Sequence, residues 1–342
     1  PVAVVPARGE IADRLASAGI ETALIDWPPL RDSGLIGFVR TIRSMVRRFR
    51  EMRLDLVHAN GARCMLYAGF AARLAGIPCV WHVRVLERDR VLDFVRGLLA
   101  TAVIANSNST AATLRAVGVL AGRIQLMYNG FRLASLDRVE PGDLVTLGAA
   151  GRHVVLGVGR LCRWKRFELL FEACADLVRS GLPVVCLIVG RAVPEEKAYE
   201  DELRAHARKL NAPIVFAGWR DDVAAIMKSS SVLVLPSKGE PFGRVVVEAM
   251  ACGLPVVAGR EGGPAEIIRD GQDGLLATPD DASSFAEAIR RVLVEPGLSE
   301  RLRTVGRTRA MDFSLDRHAE AVADLYRRLI RGNSEKRNYE NA

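Results

Sequence analysis

Several things are scarce in this 342-residue sequence, and each shortage removes a class of protein. No apolar run of eighteen or more residues lacks a charge, so no transmembrane helix is expected. No signal peptide is visible. The six cysteines, at 64, 79, 162, 174, 186 and 252, form no C-x-x-C pair, and most sit in apolar runs. That distribution fits reduced, buried thiols of a cytoplasmic protein, not a disulfide framework. No His/Cys cluster has zinc spacing. Aromatic residues make up only 6%, with no base-stacking motif, so nucleic acid is not the expected partner despite a net charge of +8.

What is present points to a well-buried globular chain. Hydrophobic residues make up 49%, and the length favours two domains over one core. The basic balance leaves phosphorylated substrates and anionic membrane surfaces as candidates. The chain opens on Pro1, with residues that already read as an internal strand, so sequence missing at the front is expected.

The most informative stretch is Leu233 to Gly263, LVLPSKGEPFGRVVVEAMACGLPVVAGREGG. An apolar run, Val232–Leu235, ends at Pro236 as a buried strand would. The loop SKGEP follows, then a helix over Phe242–Cys252. Gly253 stops it, and Pro255–Ala258 begins another strand. Strand, loop, helix, turn and strand form the unit of a parallel α/β sheet. Ligands sit at the carboxyl ends of such strands, which here means the loop carrying Glu240. The following helix turns its N-terminus to the same crevice, where unpaired N–H groups attract anions. Glu240 and Glu248 stand eight apart, one on the loop and one in the helix. Two carboxylates beside an anion-binding helix start suit a ligand with both hydroxyls and phosphates, such as a sugar nucleotide.

The string EPFGRVVVEAMACGLPVV resembles the E-x7-E signature of retaining glycosyltransferases with the GT-B fold, specifically glycosyltransferase family 4. The resemblance implies an α/β protein of two Rossmann-like domains facing a central cleft. It is strong from about Gly157 to Ala277 and weaker before. The family's usual opening strand and glycine-rich loop, which lie near the acceptor site, are lacking.

Along the first half, PARGEIADRLASAGIETALI resembles the family's second βαβ step, with strands at Val2–Pro6 and Ile20–Ile25 around a helix at Glu10–Ala18. Phe38–Arg53 has helical spacing of Phe38, Ile42, Met45, Val46, Phe49 and Met52, with Arg40, Arg43, Arg47, Arg48, Arg50 and Arg53 on the other face. That basic face reads as solvated or as attached to an anionic membrane. LDLVHA and PCVWHV read as strands. His82, ending the second, precedes the loop VRVLERDR and matches the His that in family members contacts the donor sugar's hydroxyls. Leu99–Asn106 reads as a strand and Ser107–Val117 as a helix, with Ser107 and Asn108 as candidate caps. Asn129-Gly130 is a turn.

In the second half, HVVLGVGRLCRWKRFELLFEA gives a strand, a loop and a helix. Gly157 and Gly159 supply G-x-G, but Cys162 holds the third glycine position and no acidic residue ends the next strand. A dehydrogenase fingerprint is therefore rejected. The family's Gly-Arg-Leu…Lys element fits better, placing Arg160 and Lys165 where a guanidinium fork and a mobile ammonium meet phosphate oxygens. Glu195–Leu210 reads as a charged, exposed helix. By resemblance, Gly218 and Trp219 border the nucleotide base, although Trp219 reads equally as a core aromatic. The tail from Gly332 reads as frayed. The expected domains are 1–131 (acceptor side), a linker at 132–151, 152–312 (nucleotide-sugar binding), a helix at 313–332 crossing back, and a tail at 333–342.

No two aspartates stand two apart, so the metal-holding D-x-D of the other large glycosyltransferase fold is missing. The resemblance implies a retaining, metal-independent hexosyltransferase with no cofactor beyond its nucleotide-diphosphate sugar. Its acceptor would be a sugar or a lipid-linked molecule of cell-envelope polysaccharide or glycolipid. Such an enzyme is expected to be cytoplasmic or peripheral on the inner face of the membrane. Glu240, His82, Arg160 and Lys165 would serve catalysis. Glu248, Phe242, Gly243, Arg244, Gly218 and Trp219 would hold the donor, with Glu248 on the ribose hydroxyls. A catalytically incompetent nucleotide-sugar-binding fragment, a GT-B epimerase and a phosphorylase remain as alternatives.

Overall fold

The computed structural model describes residues 1–28, 30–84 and 89–340. The chain divides into two compact units. One comprises residues 1–106, 110–127 and 322–342; the other comprises 107–109 and 128–321.

In chain order the first unit holds β1 (Val2–Val5), α1 (Glu10–Ser17), β2 (Glu21–Leu24), α2 (Leu30–Glu51), β3 (Val57–Asn60), α3 (Ala62–Ala75), β4 (Cys79–Val83), α4 (Arg90–Leu99), β5 (Ala102–Ala105), most of α5 (Asn108–Ala116) and β6 (Ile124–Leu126). β1 and β2 pair in parallel, and β3-β4-β5-β6 form a second parallel sheet in that order. Successive strand residues face opposite sides. Cys79, Trp81 and Val83 therefore join Ile42, Met45 and Phe49 of α2 and Met65 and Tyr67 of α3 in one core. Val80, Ala102 and Ile104 face the other way.

The second unit runs through β7 (His153–Val158), α6 (Phe167–Arg179), β8 (Val184–Val189), α7 (Lys197–Lys209), β9 (Ile214–Gly218), α8 (Val223–Ser229), β10 (Val232–Leu235), α9 (Arg244–Ala251), β11 (Val256–Gly259), α10 (Pro264–Ile267), β12 (Leu275–Ala277), α11 (Ala282–Val294) and α12 (Leu298–Ala310). The last helix, α13 (Leu315–Glu340), begins in this unit. From Val322 onward it belongs to the first, where Leu325 packs on Val80, Ala102 and Ile104.

The second unit's sheet has the order β12-β11-β10-β7-β8-β9, all parallel. This is the doubly wound arrangement, and the order reverses between β7 and β10. Alternation again splits the core. Val155, Cys186, Ile188, Val232 and Val257 pack under α6 and α11, while Leu156, Leu187, Leu233, Leu235 and Val256 pack under α9. Both faces are covered, as a parallel sheet requires.

Four readings from the sequence need correction. Arg90–Leu99 is a helix, so Leu99 does not begin a strand; residues 85–88 of the expected loop lie outside the described residues. α9 starts at Arg244, two residues later than expected. α7 is only partly exposed, because Tyr199, Glu200, Leu203 and Ala207 are buried. The segment read as frayed continues as helix to Glu340.

Candidate active site

The reversal between β7 and β10 leaves a crevice beyond the strand ends, since the flanking connections leave to opposite faces. The second unit has a cavity of 970 Å³ beyond the ends of β7, β8 and β9, bounded by Glu248 of α9. Its wall is built from successive strand ends. β7 is followed by Gly159 and Arg160, β8 by Gly190 and Arg191, and β9 by Trp219 and Arg220; Glu248 of α9 completes it.

Gly190 lets the loops after β7 and β8 meet. A Cβ on Gly190, which has φ +141°, would lie 1.9 Å from the carbonyl oxygen of Gly159. Gly243 adopts φ +94° at the start of α9, where an L side chain is strained and would meet Pro264.

Arg160 is exposed beside the cavity. Lys165 follows on a short 3-10 turn and is buried. Its Nζ donates to Glu240 Oε2 at 2.5 Å and lies 4.3 Å from the centre of the Trp164 ring. Glu240 is buried as well, and its carbonyl accepts from the Gly263 amide at 2.9 Å. Residues 75 apart in sequence thus join the loops after β7 and β10 through one ion pair.

Glu248 sits one turn into α9, its carboxylate 3.4 Å from the Arg244 guanidinium. Burial raises its pKa, and the Arg244 charge opposes that only in part. Phe242 does not line the cavity. Its ring is 2% exposed and packs with Tyr128, Phe131 and Phe313. Gly218 ends β9, and Trp219 is 63% exposed, not a core aromatic. Its ring faces the Arg191 guanidinium at 5.3 Å, and its Nε1 donates to Asp221 at 3.2 Å.

His82 belongs to the first unit and is buried one residue from the end of β4. Its Nδ1 lies 3.2 Å from His58 Nε2. Sequence reasoning did not single out Gly190, Arg191, Lys197 or Arg220 as lining residues. The Gly-Arg ending of LIVGR was the available signal, and it served only to reject a dehydrogenase. Among the described residues, no three His, Cys, Asp or Glu side chains are grouped so as to hold a metal ion.

With this geometry in view, comparison with known proteins is direct. Residues 3–135 match the model of Glycosyltransferase Family 4, and residues 147–309 match that of Glycosyl transferases group 1. The chain belongs to the family 4 type of glycosyltransferase, with the GT-B fold. It is similar to the D-inositol 3-phosphate glycosyltransferase of Streptomyces bingchenggensis, at 30% identity over 82% of this chain and 63% of that one. It is also similar to the UDP-Gal:alpha-D-GlcNAc-diphosphoundecaprenol alpha-1,3-galactosyltransferase of Escherichia coli, at 26% identity over 86% and 81% of the two chains. The first two curated relatives are longer, and the chain spans 63% and 54% of their lengths. Among solved structures, HepE of Anabaena, determined with UDP, superposes with a TM-score of 0.83 at 26% identity, covering 94% of this glycosyltransferase-family chain and 90% of HepE. Sucrose-phosphate synthase of Thermosynechococcus elongatus gives 0.78 at 26% identity, covering 97% and 96%.

Proposed function

We propose that this chain is a retaining glycosyltransferase that moves a hexosyl group from a UDP-sugar to a hydroxyl of a cell-envelope saccharide or lipid-linked saccharide. One observation carries the reading. Arg160 and Glu248 line one cavity at the strand ends of a doubly wound sheet, and the Lys165–Glu240 pair ties together the loops after β7 and β10, on either side of its reversal point. The likeness to HepE, solved with UDP and with UDP-glucose, supports uracil as the base.

In this mechanism the diphosphate lies against Arg160, Lys165 and the first amides of α9. These groups stabilise the charge that develops as the bond from the anomeric carbon to the phosphate oxygen breaks. The acceptor oxygen bonds to the same face of that carbon. Its proton passes to the departing phosphate oxygen, and UDP leaves. Glu248 accepts hydrogen bonds from the ribose hydroxyls. Glu240, held by Lys165, lies by the transferred sugar and steadies positive charge at the anomeric carbon. His82 hydrogen-bonds a substrate hydroxyl. The protein's own cations thus neutralise the diphosphate, and no metal ion takes part.

The test is transfer from UDP-glucose and UDP-galactose to undecaprenyl-diphosphate-linked sugars, with product configuration read by proton NMR. Retained α-configuration, unaffected by EDTA, is expected. An inverted product, or loss of transfer in EDTA, contradicts the mechanism.

The acceptor class fits a membrane surface. Among the described residues, no helix is long and apolar enough to cross a membrane. α2, however, presents Leu35 and Ile36, each 78% exposed, beside exposed Arg40, Arg43 and Arg47. Apolar insertion with basic contacts, each worth about 1 kcal/mol near an anionic surface, would hold the chain to phosphatidylglycerol vesicles. Co-sedimentation that survives Arg40→Glu with Arg43→Glu would contradict this.

A further inference from the structure

Three loops of the second unit meet around the Lys165–Glu240 pair. Two carry that pair, and the third runs from β12 into α11. The first two are joined twice. The Lys238 amide donates to the Trp164 carbonyl at 2.7 Å, and Lys165 Nζ donates to Glu240 at 2.5 Å. Asp280, in the third loop, adds another link. One of its carboxylate oxygens accepts from the Arg166 guanidinium, and the other accepts from Lys238 Nζ at 2.7 Å. Residues 164, 165 and 166 thus each reach the loop of residues 238–240, the last of them through Asp280. The links differ in burial. Lys165 and Glu240 are enclosed, whereas Asp280 and Lys238 stand at the surface.

The backbone sets two of these residues apart. Arg166 and Asp280 both adopt left-handed conformations, at φ +53° and +60°. Glycine takes such a conformation freely, whereas arginine rarely does and aspartate only somewhat more often. Among the described residues, only Arg53 and Asn211 also have a positive φ without being glycine. Glycine would relax the turn at Arg166 or at Asp280, but it would lose the bond between their side chains. Strain kept at both ends of one ion pair marks that pair as useful.

Asp280 is suited to the bridge. Its hydrogen bond from the Lys238 ammonium, with the Arg166 charge beside it, holds its carboxyl below the usual carboxylate range. Arg166 is held from its other side too. Its Nε donates to Glu168 at 2.9 Å, and Glu168 accepts from the Tyr199 hydroxyl at 2.7 Å. One carboxylate shared by two cations, one of them anchored again, is a network and not an isolated surface pair.

We propose that Asp280 is a positioning residue. Bound to Arg166 and Lys238, it closes the outer side of a clamp whose inner side is Lys165–Glu240, and so fixes the two loops that carry that pair. Asp280 does not line the 970 Å³ cavity, so it acts through Lys165 and Glu240. The reaction that the clamp serves rests on the transferase reading; the clamp does not.

Hydrogen exchange in the full chain, read by mass spectrometry on peptides over 161–168 and 236–243, tests the clamp without substrate. Asp280→Gly should hold its melting temperature within about 3 °C, because relieved strain offsets a freer unfolded chain. Exchange in both peptides should nevertheless quicken about tenfold as the loops open locally. Lys238→Met, which leaves the backbone at Asp280 alone, should do the same. Asp280→Asn keeps a residue that tolerates this backbone and one acceptor, and should fall between. Unchanged exchange in Asp280→Gly and Lys238→Met overturns the proposal.

Transfer kinetics test the positioning. In Asp280→Gly and in Lys238→Met, kcat should fall about fivefold, and no further in the double variant, with the KM for UDP-sugar within about twofold of wild type. A merely structural role would make kcat follow the melting temperature across the variants, and that result overturns the proposal. If the wild type transfers sugar and both variants match its kcat, the positioning is overturned and the transferase reading stands. If the wild type itself transfers nothing, the transferase reading fails, and the exchange rates alone decide the clamp.

Discussion

Lys165 and Glu240 share a hydrogen bond of 2.5 Å between their charged ends, each side chain 11% exposed. The pair joins the loop after β7 to the loop after β10, on either side of the point where the strand order reverses. Removing one partner leaves the other charge buried and uncompensated. Lys165→Met should therefore lower unfolding stability by about 3 kcal/mol. The double variant Lys165→Met with Glu240→Leu should recover most of that loss, and neither protein should transfer sugar. Denaturant melts beside transfer assays check this. Full activity in the double variant would mean that the pair is purely structural.

Gly190 is a sharper steric test. Its absent Cβ leaves the space that the Gly159 carbonyl occupies, and its φ of +141° suits only glycine. Gly190→Ala should separate the ends of β7 and β8, cost roughly 2 kcal/mol or more, and abolish UDP binding. Gly181, at φ +86° on an open turn with nothing within 4 Å, is the control. Gly181→Ala should cost less stability and leave binding intact.

Glu248 links pH to both stability and binding. Burial raises its pKa above the ordinary 4.5, so the folded state holds its proton at pH values where the unfolded chain has released it. Its contribution to stability is therefore largest at low pH and declines as pH rises from 4.5 through the raised value. Glu248→Gln removes that decline and should melt higher than wild type at pH 7. The ribose contact needs the carboxylate, so UDP affinity should fall as pH drops through the same window, and Glu248→Gln should bind weakly throughout. Melting curves and titrations at several pH values check both signs.

The thiols should be inert in the native protein. All six cysteines are free, and burial pushes Cys79 up to about 12 and Cys252 up to about 11. Iodoacetamide at pH 8 should leave both unmodified until denaturant is added, as read by mass spectrometry. Rapid native labelling of Cys79 would contradict the packing of β4.

Much of the second unit was legible because its strands are short apolar runs ended by Pro236 or Gly190, and Gly253 stops α9. Arg160, Lys165, Glu240 and Glu248 follow from their places on those strand–helix units. α4 was not legible, because its pattern is inverted. Val91, Phe94 and Leu98 lie exposed, while Asp93 and Arg96 are buried in a 2.7 Å ion pair. A reading that buries apolar residues and exposes charge has no reason to draw that helix. Phe242 misled in the other direction. Its place in the motif suggested a ligand contact, but its ring holds the aromatic cluster behind α9. The partnership of His58, His82 and Tyr326 spans 268 residues and depends on which face each strand residue takes, which local spacing does not reveal.

The central claim is that the cavity beyond β7, β8 and β9 holds a nucleoside diphosphate. Calorimetric titration of UDP and GDP into the metal-free chain, with Arg160→Ala and Glu248→Ala beside it, tests that claim most directly. UDP should bind with a Kd in the micromolar range, on the order of −8 kcal/mol, with GDP weaker and both variants at least about tenfold impaired. No heat from either nucleotide, or equal binding by wild type and both variants, would contradict it.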